Sequence, residues 1–336
     1  MTGHALVVGA GVSGLSSALA LLHRGHRVTV LERGTVGGES SWAGGGILSP
    51  LLPWDYDEAV ASLALRSMAA YAGWVADIEG ISGRDAEFWR CGMLALDIAG
   101  PEQALAWCAA HGMAAQRGGA TRLPALRPQR AESHSVWLPD VAQVRNPRLV
   151  AAMRAAVEQL GGTIHELCAA TGVLTQGGRV TAVQTAANAF PVDTLVLATG
   201  AWSGLGLAGL AAAPQIRPIR GQMLLFKLEP GVLDTILYRN GLYLIPRRDG
   251  HVLVGSTLED AGFDKSTDAA TRQRLHAEAA ELLPALAAIQ PVRHWAGLRP
   301  GSPDNIPIID RHPDFDNVFV NTGHYRYGVT LAPASA

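Results

Sequence analysis

Little in this chain of 336 residues points to metal, disulfide or nucleic-acid chemistry. It has only three cysteines, Cys91, Cys108 and Cys168, odd in number and scattered. None forms a Cys-x-x-Cys pair, so neither a zinc site nor a disulfide framework is indicated, and reduced thiols in a cytoplasmic protein are expected. Charge is sparse as well: 17% of residues are charged, the net charge is −2, and no basic run occurs. Nucleic acid and an anionic membrane surface are therefore not expected as partners. No run approaches the roughly 20 apolar residues of a membrane span. The N-terminus has no basic segment before its apolar stretch and does not read as a signal peptide. His-Glu-x-x-His, Gly-x-Ser-x-Gly and paired-histidine motifs are missing, and no nucleophile–base pair stands out. That absence suits redox chemistry, in which a bound cofactor carries the reaction.

What is present begins with a buried-strand pattern, Ala5-Leu6-Val7-Val8, followed by Gly9-Ala10-Gly11-Val12-Ser13-Gly14 and a helical run from Leu15 to Arg24. A second apolar strand, Val28 to Leu31, ends at Glu32, eighteen residues beyond Gly14. This is the strand–turn–helix–strand context of a dinucleotide fingerprint. Gly9 permits the tight turn, Gly11 lets a pyrophosphate approach the backbone, and Gly14 lets helix and strand pack closely. The helix N-terminus offers N–H groups and a positive dipole end to phosphate. Glu32 can accept hydrogen bonds from ribose hydroxyls. An acid there would repel a 2′-phosphate, although the adjacent Arg33 softens that argument.

The following stretch, Gly34 to Pro50, contains six glycines and three serines. Such a segment packs a core poorly. Placed directly after the ribose acid, it reads as backbone lying against a flat or phosphorylated ligand. Helices are expected over Asp55–Glu79, Pro101–His111, Thr267–Leu283 and, most clearly, from an Asn146 N-cap with first-turn Pro147 to Leu160 and the stop at Gly161-Gly162. Residues 114–145, with prolines at 124, 128 and 139, read as irregular. Strands are expected at Thr163–Leu167, Gly172–Thr175 and Val180–Thr185, and Asp193–Gly200 reads as a return to the nucleotide-binding sheet. From Arg217 onward short strands with turn signals follow one another, the pattern of an antiparallel sheet.

Length suggests two domains, and 48% hydrophobic residues permit a sizeable core. We expect an α/β fold: a discontinuous Rossmann-like domain built from 1–80, 145–215 and 292–336, and a substrate domain with a large, mostly antiparallel sheet built from 81–144 and 216–291. Two arginines, Arg299 and Arg326, each sit just past a buried strand on a glycine-containing turn. A guanidinium there can hold a carboxylate bidentately or serve as a surface charge, and spacing alone leaves both open.

Several blocks together resemble the glycine oxidase branch of the D-amino-acid oxidase family of flavoproteins. They are the fingerprint with Glu32, VGGESSWAGGGILSP (36–50), ATGAWS (198–203), LYLIPRRDGHVLVG (242–255), WAGLRPG (295–301) and GHYRYGVTLAP (323–333). The resemblance spans nearly the whole chain, and the last two blocks are its most specific part. It implies FAD as cofactor, with Val12 and Ser13 at the pyrophosphate, Glu32 and Arg33 at the adenosine end, Ser40 and Ser41 further along, and Ala170 at the adenine. Gly45, Gly46 and Ile47 would run against the flavin ring. His324, Tyr325, Arg326, Tyr327, Gly328, Val329 and Thr330 would line its pyrimidine end. Arg299 matches the carboxylate-binding arginine, Arg326 the second arginine of the pocket, and Tyr243 the hydroxyl partner, with Tyr238 close by in sequence.

The resemblance further implies oxidative deamination of glycine, sarcosine or D-alanine, with hydride transfer to the flavin, dioxygen as acceptor and hydrogen peroxide as product. No protein acid or base is assigned. It also implies a homotetramer and a supply role in thiazole formation for thiamine. A dehydrogenase of the same fold, passing electrons to a carrier, and a non-catalytic module sensing dinucleotides are the competing readings. In the family a helix follows GHYRYGVTLAPAS and points its N-terminus at the flavin C2 carbonyl. The sequence reaches Ala336, near the start of that helix; a chain truly ending there would have a weaker dipole and lower FAD affinity.

Overall fold

The computed structural model describes residues 3–119, 134–211 and 213–336. Part of the segment expected to be irregular, 120–133 with Pro124 and Pro128, lies outside the described residues. Around it, that segment forms short strands at Gln116–Arg117, Val136–Leu138 and Ala142–Gln143.

Two sheets carry the architecture. The first has six strands in the spatial order Ile308–Arg311, Val318–Thr322, Thr194–Leu197, His4–Val8, Arg27–Leu31, Thr163–His165. Neighbours run parallel except at the Ile308–Arg311 edge. Parallel strands are covered on both faces, which is why these segments read as unbroken apolar runs. Alternation then divides them. Ala5, Val7, Val28, Val30 and Val196 pack under the helices Val12–His23 and Asn146–Gln159. Leu6, Leu31, Leu195 and Val318 face the other way, against the three-stranded antiparallel sheet of Ala170–Gln176, Arg179–Thr185 and Ala189–Pro191.

The longest helix, Glu58–Ser82, starts at Asp57, whose side chain accepts from Ala59 N at 2.8 Å, and stops at left-handed Gly83. It is long and apolar enough, by length and composition, to cross a membrane. Its buried residues nevertheless form one stripe, Val60, Ala64, Ser67, Tyr71, Val75 and Ile78, while Arg66 and Asp77 are exposed. A single buried stripe at helical spacing is the pattern of a helix laid on a core.

The second sheet has eight described strands in the order Arg293–Gly301, Arg217–Lys227, His251–Gly255, Leu242–Pro246, Ile236–Arg239, Met93–Leu96, Val136–Leu138, Gln116–Arg117. Only the pairing of Ile236–Arg239 with Met93–Leu96 is parallel, so the sheet is mostly antiparallel, as expected. Arg293–Gly301 was grouped by sequence with the nucleotide-binding unit. It instead pairs along its length with Arg217–Lys227, Ile219 opposite Arg299 and Gly221 opposite Gly297. One face of the sheet, Leu224, Phe226, Leu244, Val252 and Val254, packs on the helix Ala269–Leu282 through Leu275, Ala279 and Leu282. Each such fully buried side chain contributes roughly 1.5–3 kcal/mol. The other face is turned toward the carboxyl ends of the parallel strands.

Candidate active site

A cleft of about 350 Å³ runs between those carboxyl ends and that sheet face. Ligands of open α/β sheets bind in this place. Its first end is the glycine turn. Gly9 has φ +102, and a Cβ there would meet Ala198 O at 2.4 Å; one on Gly14 would meet Gly9 O at 1.9 Å. Both are therefore fixed by the packing of strand and helix. A Cβ on Gly11 would have a looser neighbour, Ser41 Oγ at 3.1 Å, and Gly11 lines the cleft with Gly9, Val12 and Ser13. Gly14 is not part of the lining; its role is the close packing read from the sequence.

Glu32, 8% exposed, accepts from Ala10 N and from Gly34 N, each at 2.8 Å, one on each carboxylate oxygen. A carboxylate has about four lone-pair sites, so Glu32 holds the turn and retains acceptor capacity toward the cleft it lines. The Arg33 guanidinium stacks 3.4 Å over Trp202 and pairs with Glu39 at 3.2 Å. Its charge is committed to those partners, which removes the reservation Arg33 raised against an unphosphorylated ribose. Ser40, Ser41, Gly45, Gly46, Ile47 and Ala170 also line the cleft. The Ser41 Oγ accepts from Val12 N at 2.9 Å and so ties the glycine-rich stretch to the helix N-terminus.

The C-terminal run supplies the far wall through His324, Tyr325, Arg326, Tyr327, Gly328 and Val329. Thr330 does not join them. It is 1% exposed, and its hydroxyl donates to Ile47 O at 2.9 Å, so it braces the wall from behind. His324 is 2% exposed, with Nδ1 3.4 Å from Ser13 Oγ. Burial pushes its pKa down to about 4, which makes the ring neutral near pH 7. Its Nε2 is buried and has no partner among the described residues.

At the same end, alternation along two strands brings Gly221 and Met223, and Gly297 and Arg299, to the cleft face. A Cβ on Gly221 would strike the Arg299 guanidinium at 2.1 Å, so the glycine makes the space that this group occupies. Arg299 Nη1 donates to Thr257 O at 3.1 Å and Nη2 to Ser256 Oγ. Behind them, Thr257 Oγ1 donates to Glu259, which also receives Arg220 and Gln222. Burial lowers the Arg299 pKa; Tyr243 pulls it up again and the Arg326 charge pushes it further down. Arg326 lines the cleft and makes no hydrogen bond or ion pair with the described residues. Tyr243 also lines the cleft, its hydroxyl in weak contact with Met223 Sδ at 3.9 Å. Tyr238, directly opposite it in the neighbouring strand, does not reach the lining.

Three features fit a long dinucleotide bearing a flat polar ring: the glycine cradle with its acid, the partnerless His324 Nε2, and the backbone N–H groups of Gly45 and Gly46. Those two N–H groups donate to nothing among the described residues. The family model for FAD dependent oxidoreductases matches residues 4–336. The chain belongs to this family.

Glycine oxidases from Pseudomonas aeruginosa and Pseudomonas putida are each 44% identical to it, covering all of this chain and 93% of theirs. The crystal structure of glycine oxidase from Geobacillus kaustophilus matches with a TM-score of 0.90 at 26% identity, over 99% of this chain and 93% of that one. The resemblance read from the motifs thus extends along the full chain, and FAD is the cofactor of this FAD-dependent oxidoreductase.

Sequence reasoning missed part of the lining. Thr199, Gly200 and Trp202 lie on the turn after Thr194–Leu197, and Asn146 joins them. The turn carried a signal, a glycine at a strand's carboxyl end. Asn146 carried a misleading one. It reads as an N-cap, yet Arg145 holds that position, and Asn146 Nδ2 donates to Ser41 O at 2.8 Å instead.

Proposed function

We propose that this FAD-dependent oxidoreductase is a small-amino-acid oxidase acting on glycine, with sarcosine and D-alanine as further substrates. The observation that carries the reading is the pair of arginines at the closed end of the cofactor cleft. Arg299 is half-buried with its pKa lowered by desolvation, Arg326 lies close enough to lower it further, and neither touches a carboxylate among the described residues. Two neighbouring cations in a desolvated place are relieved by an anionic ligand. The reaction converts amino acid, dioxygen and water into oxo acid, hydrogen peroxide and an amine, which is ammonia from glycine or D-alanine and methylamine from sarcosine; from glycine the oxo acid is glyoxylate.

When bound, FAD would supply the acceptor, at its flavin N5, for the hydride equivalent leaving the substrate Cα. The protein's part is binding and orientation. Val12 and Ser13 at the helix N-terminus would meet the pyrophosphate, Glu32 the ribose, Ala170 the adenine, and Gly45, Gly46 and Ile47 the ring. Arg299 takes the substrate carboxylate on the Nη hydrogens that Ser256 and Thr257 leave free. The Tyr243 hydroxyl, beside the Arg299 guanidinium, donates to the same group, and Arg326 adds a second charge. Fixing the carboxylate fixes the Cα–H. No side chain is assigned as acid or base, so the amine reacts in its neutral form. Glycine, with no side chain to accommodate, suits a pocket walled by Met223 and Tyr243.

Replacing Arg299 by Ala removes two charge-assisted hydrogen bonds, and the KM for glycine is expected to rise by about two orders of magnitude. The flavin absorption bands should persist. Unchanged glycine kinetics in that variant would remove the carboxylate assignment.

A further inference from the structure

Four side chains from distant parts of the chain hold alternate carbonyls of the cleft wall. Ser41 O accepts from Asn146 Nδ2 at 2.8 Å, Ala43 O from Trp295 Nε1 at 3.1 Å, Gly45 O from Arg247 Nη2 at 2.8 Å, and Ile47 O from Thr330 Oγ1 at 2.9 Å. Three of these holders are neutral. The fourth is a guanidinium only 3% exposed. It bonds no carboxylate among the described residues: Nη1 donates to Val144 O at 2.9 Å and to Gln143 Oε1, while the buried Nε finds no acceptor. Burial lowers its pKa to about 10, which leaves it protonated near pH 7.

A buried cation without a bonded carboxylate is a costly way to fill space. The geometry explains what it does there. Its planar fork reaches Gly45 O from Nη2 and Val144 O and Gln143 Oε1 from Nη1, a fixed two-nitrogen spacing that a single ammonium nitrogen lacks. Gly45 lines the cofactor cleft and has an undonated N–H. Arg247 itself follows directly on Leu242–Pro246, the strand that brings Tyr243 into the same cleft.

We propose that Arg247 is a positioning residue for the cofactor: its fork fastens the Gly45 wall to Val144 and to the Tyr243-bearing strand, and so presets the surface against which FAD lies. The inference rests on FAD as the cofactor and is independent of which amino acid is oxidised.

The test uses holoenzyme, and apoprotein made from it by removing FAD, for the parent and for R247K, R247M and Q143M. A ligand raises the melting midpoint by an amount set by its concentration relative to Kd. The gap between holo and apo midpoints therefore reads cofactor positioning separately from folding, and flavin fluorescence titration gives Kd directly. In R247K, which keeps the charge and loses the fork, FAD binding should weaken about tenfold, and in R247M by tenfold or more. Q143M, which removes one acceptor of the fork, should show a smaller loss in the same direction. Should R247M fail to fold, R247K and Q143M decide. Lowered apo midpoints with the parent's gap and Kd in both would overturn the proposal, because Arg247 would then serve the fold alone.

Discussion

Burial acts on two bases of the cleft in the same direction with different consequences. Arg299 is pulled down from the ordinary arginine range, and an anionic ligand beside it would pull it back up. His324 is pulled to about 4 and becomes a neutral ring able to exchange one hydrogen bond with a ligand. The second shift has a sign that can be worked out. A free histidine titrates near 6.5, so between that value and the folded one the unfolded chain binds more protons. Stability is complete above this window and falls as pH drops through it, by up to about 1.4 kcal/mol per unit. The carboxylates of Asp249 and Glu259, where hydrogen bonds and nearby arginines outweigh burial, act at lower pH. Melting midpoints of apoprotein should therefore fall from pH 6.5 to 4.5, and His324→Gln should flatten that part of the curve. An identical slope in the variant would mean that another group titrates there.

The glycine turn shows what a local motif determines. A Cβ on Gly14 would lie 1.9 Å from Gly9 O, against backbone that cannot swing aside. Gly14→Ala should destabilise by about 1–3 kcal/mol or more, as overpacked sites do. Its melting midpoint should drop, and it should retain less flavin on purification; parental stability and flavin content would show that strand and helix need no such closeness. This element was legible because its strand, turn, helix and acid all lie within residues 5 to 32. The strands after Arg217 were legible from alternation and turn residues, and the first of them runs Arg217–Lys227. The pairs Gln116–Arg117 and Ala142–Gln143 were not, since two-residue strands carry no period. The bracing contacts of Arg247, Asn146 and Thr330 escaped for another reason. Their partners at Gly45, Ser41 and Ile47 lie more than a hundred residues away, and only the closed fold brings them together. The partner strand of Arg293–Gly301 was not legible either, because only register in the closed fold sets it beside Arg217–Lys227.

At the scale of the whole molecule, the parallel sheet brings the glycine turn, Glu32 and the Thr199–Trp202 turn to one rim of the cleft. The eight-stranded sheet closes it with Arg299 and Tyr243. Arg299 and Arg326 line this same cleft, and the two competing readings make different demands on that pair. A sensing module has no need of two carboxylate-seeking cations beside the cofactor. A carrier-linked dehydrogenase needs them as an oxidase does and differs only in how its reduced form meets dioxygen. The most direct measurement is the visible spectrum of the purified protein under argon, before and after glycine is added, followed by admission of air. The account predicts flavin bands that bleach with glycine and return in air with one peroxide formed per glycine consumed. Flavin bands that persist with glycine, sarcosine and D-alanine alike would contradict it.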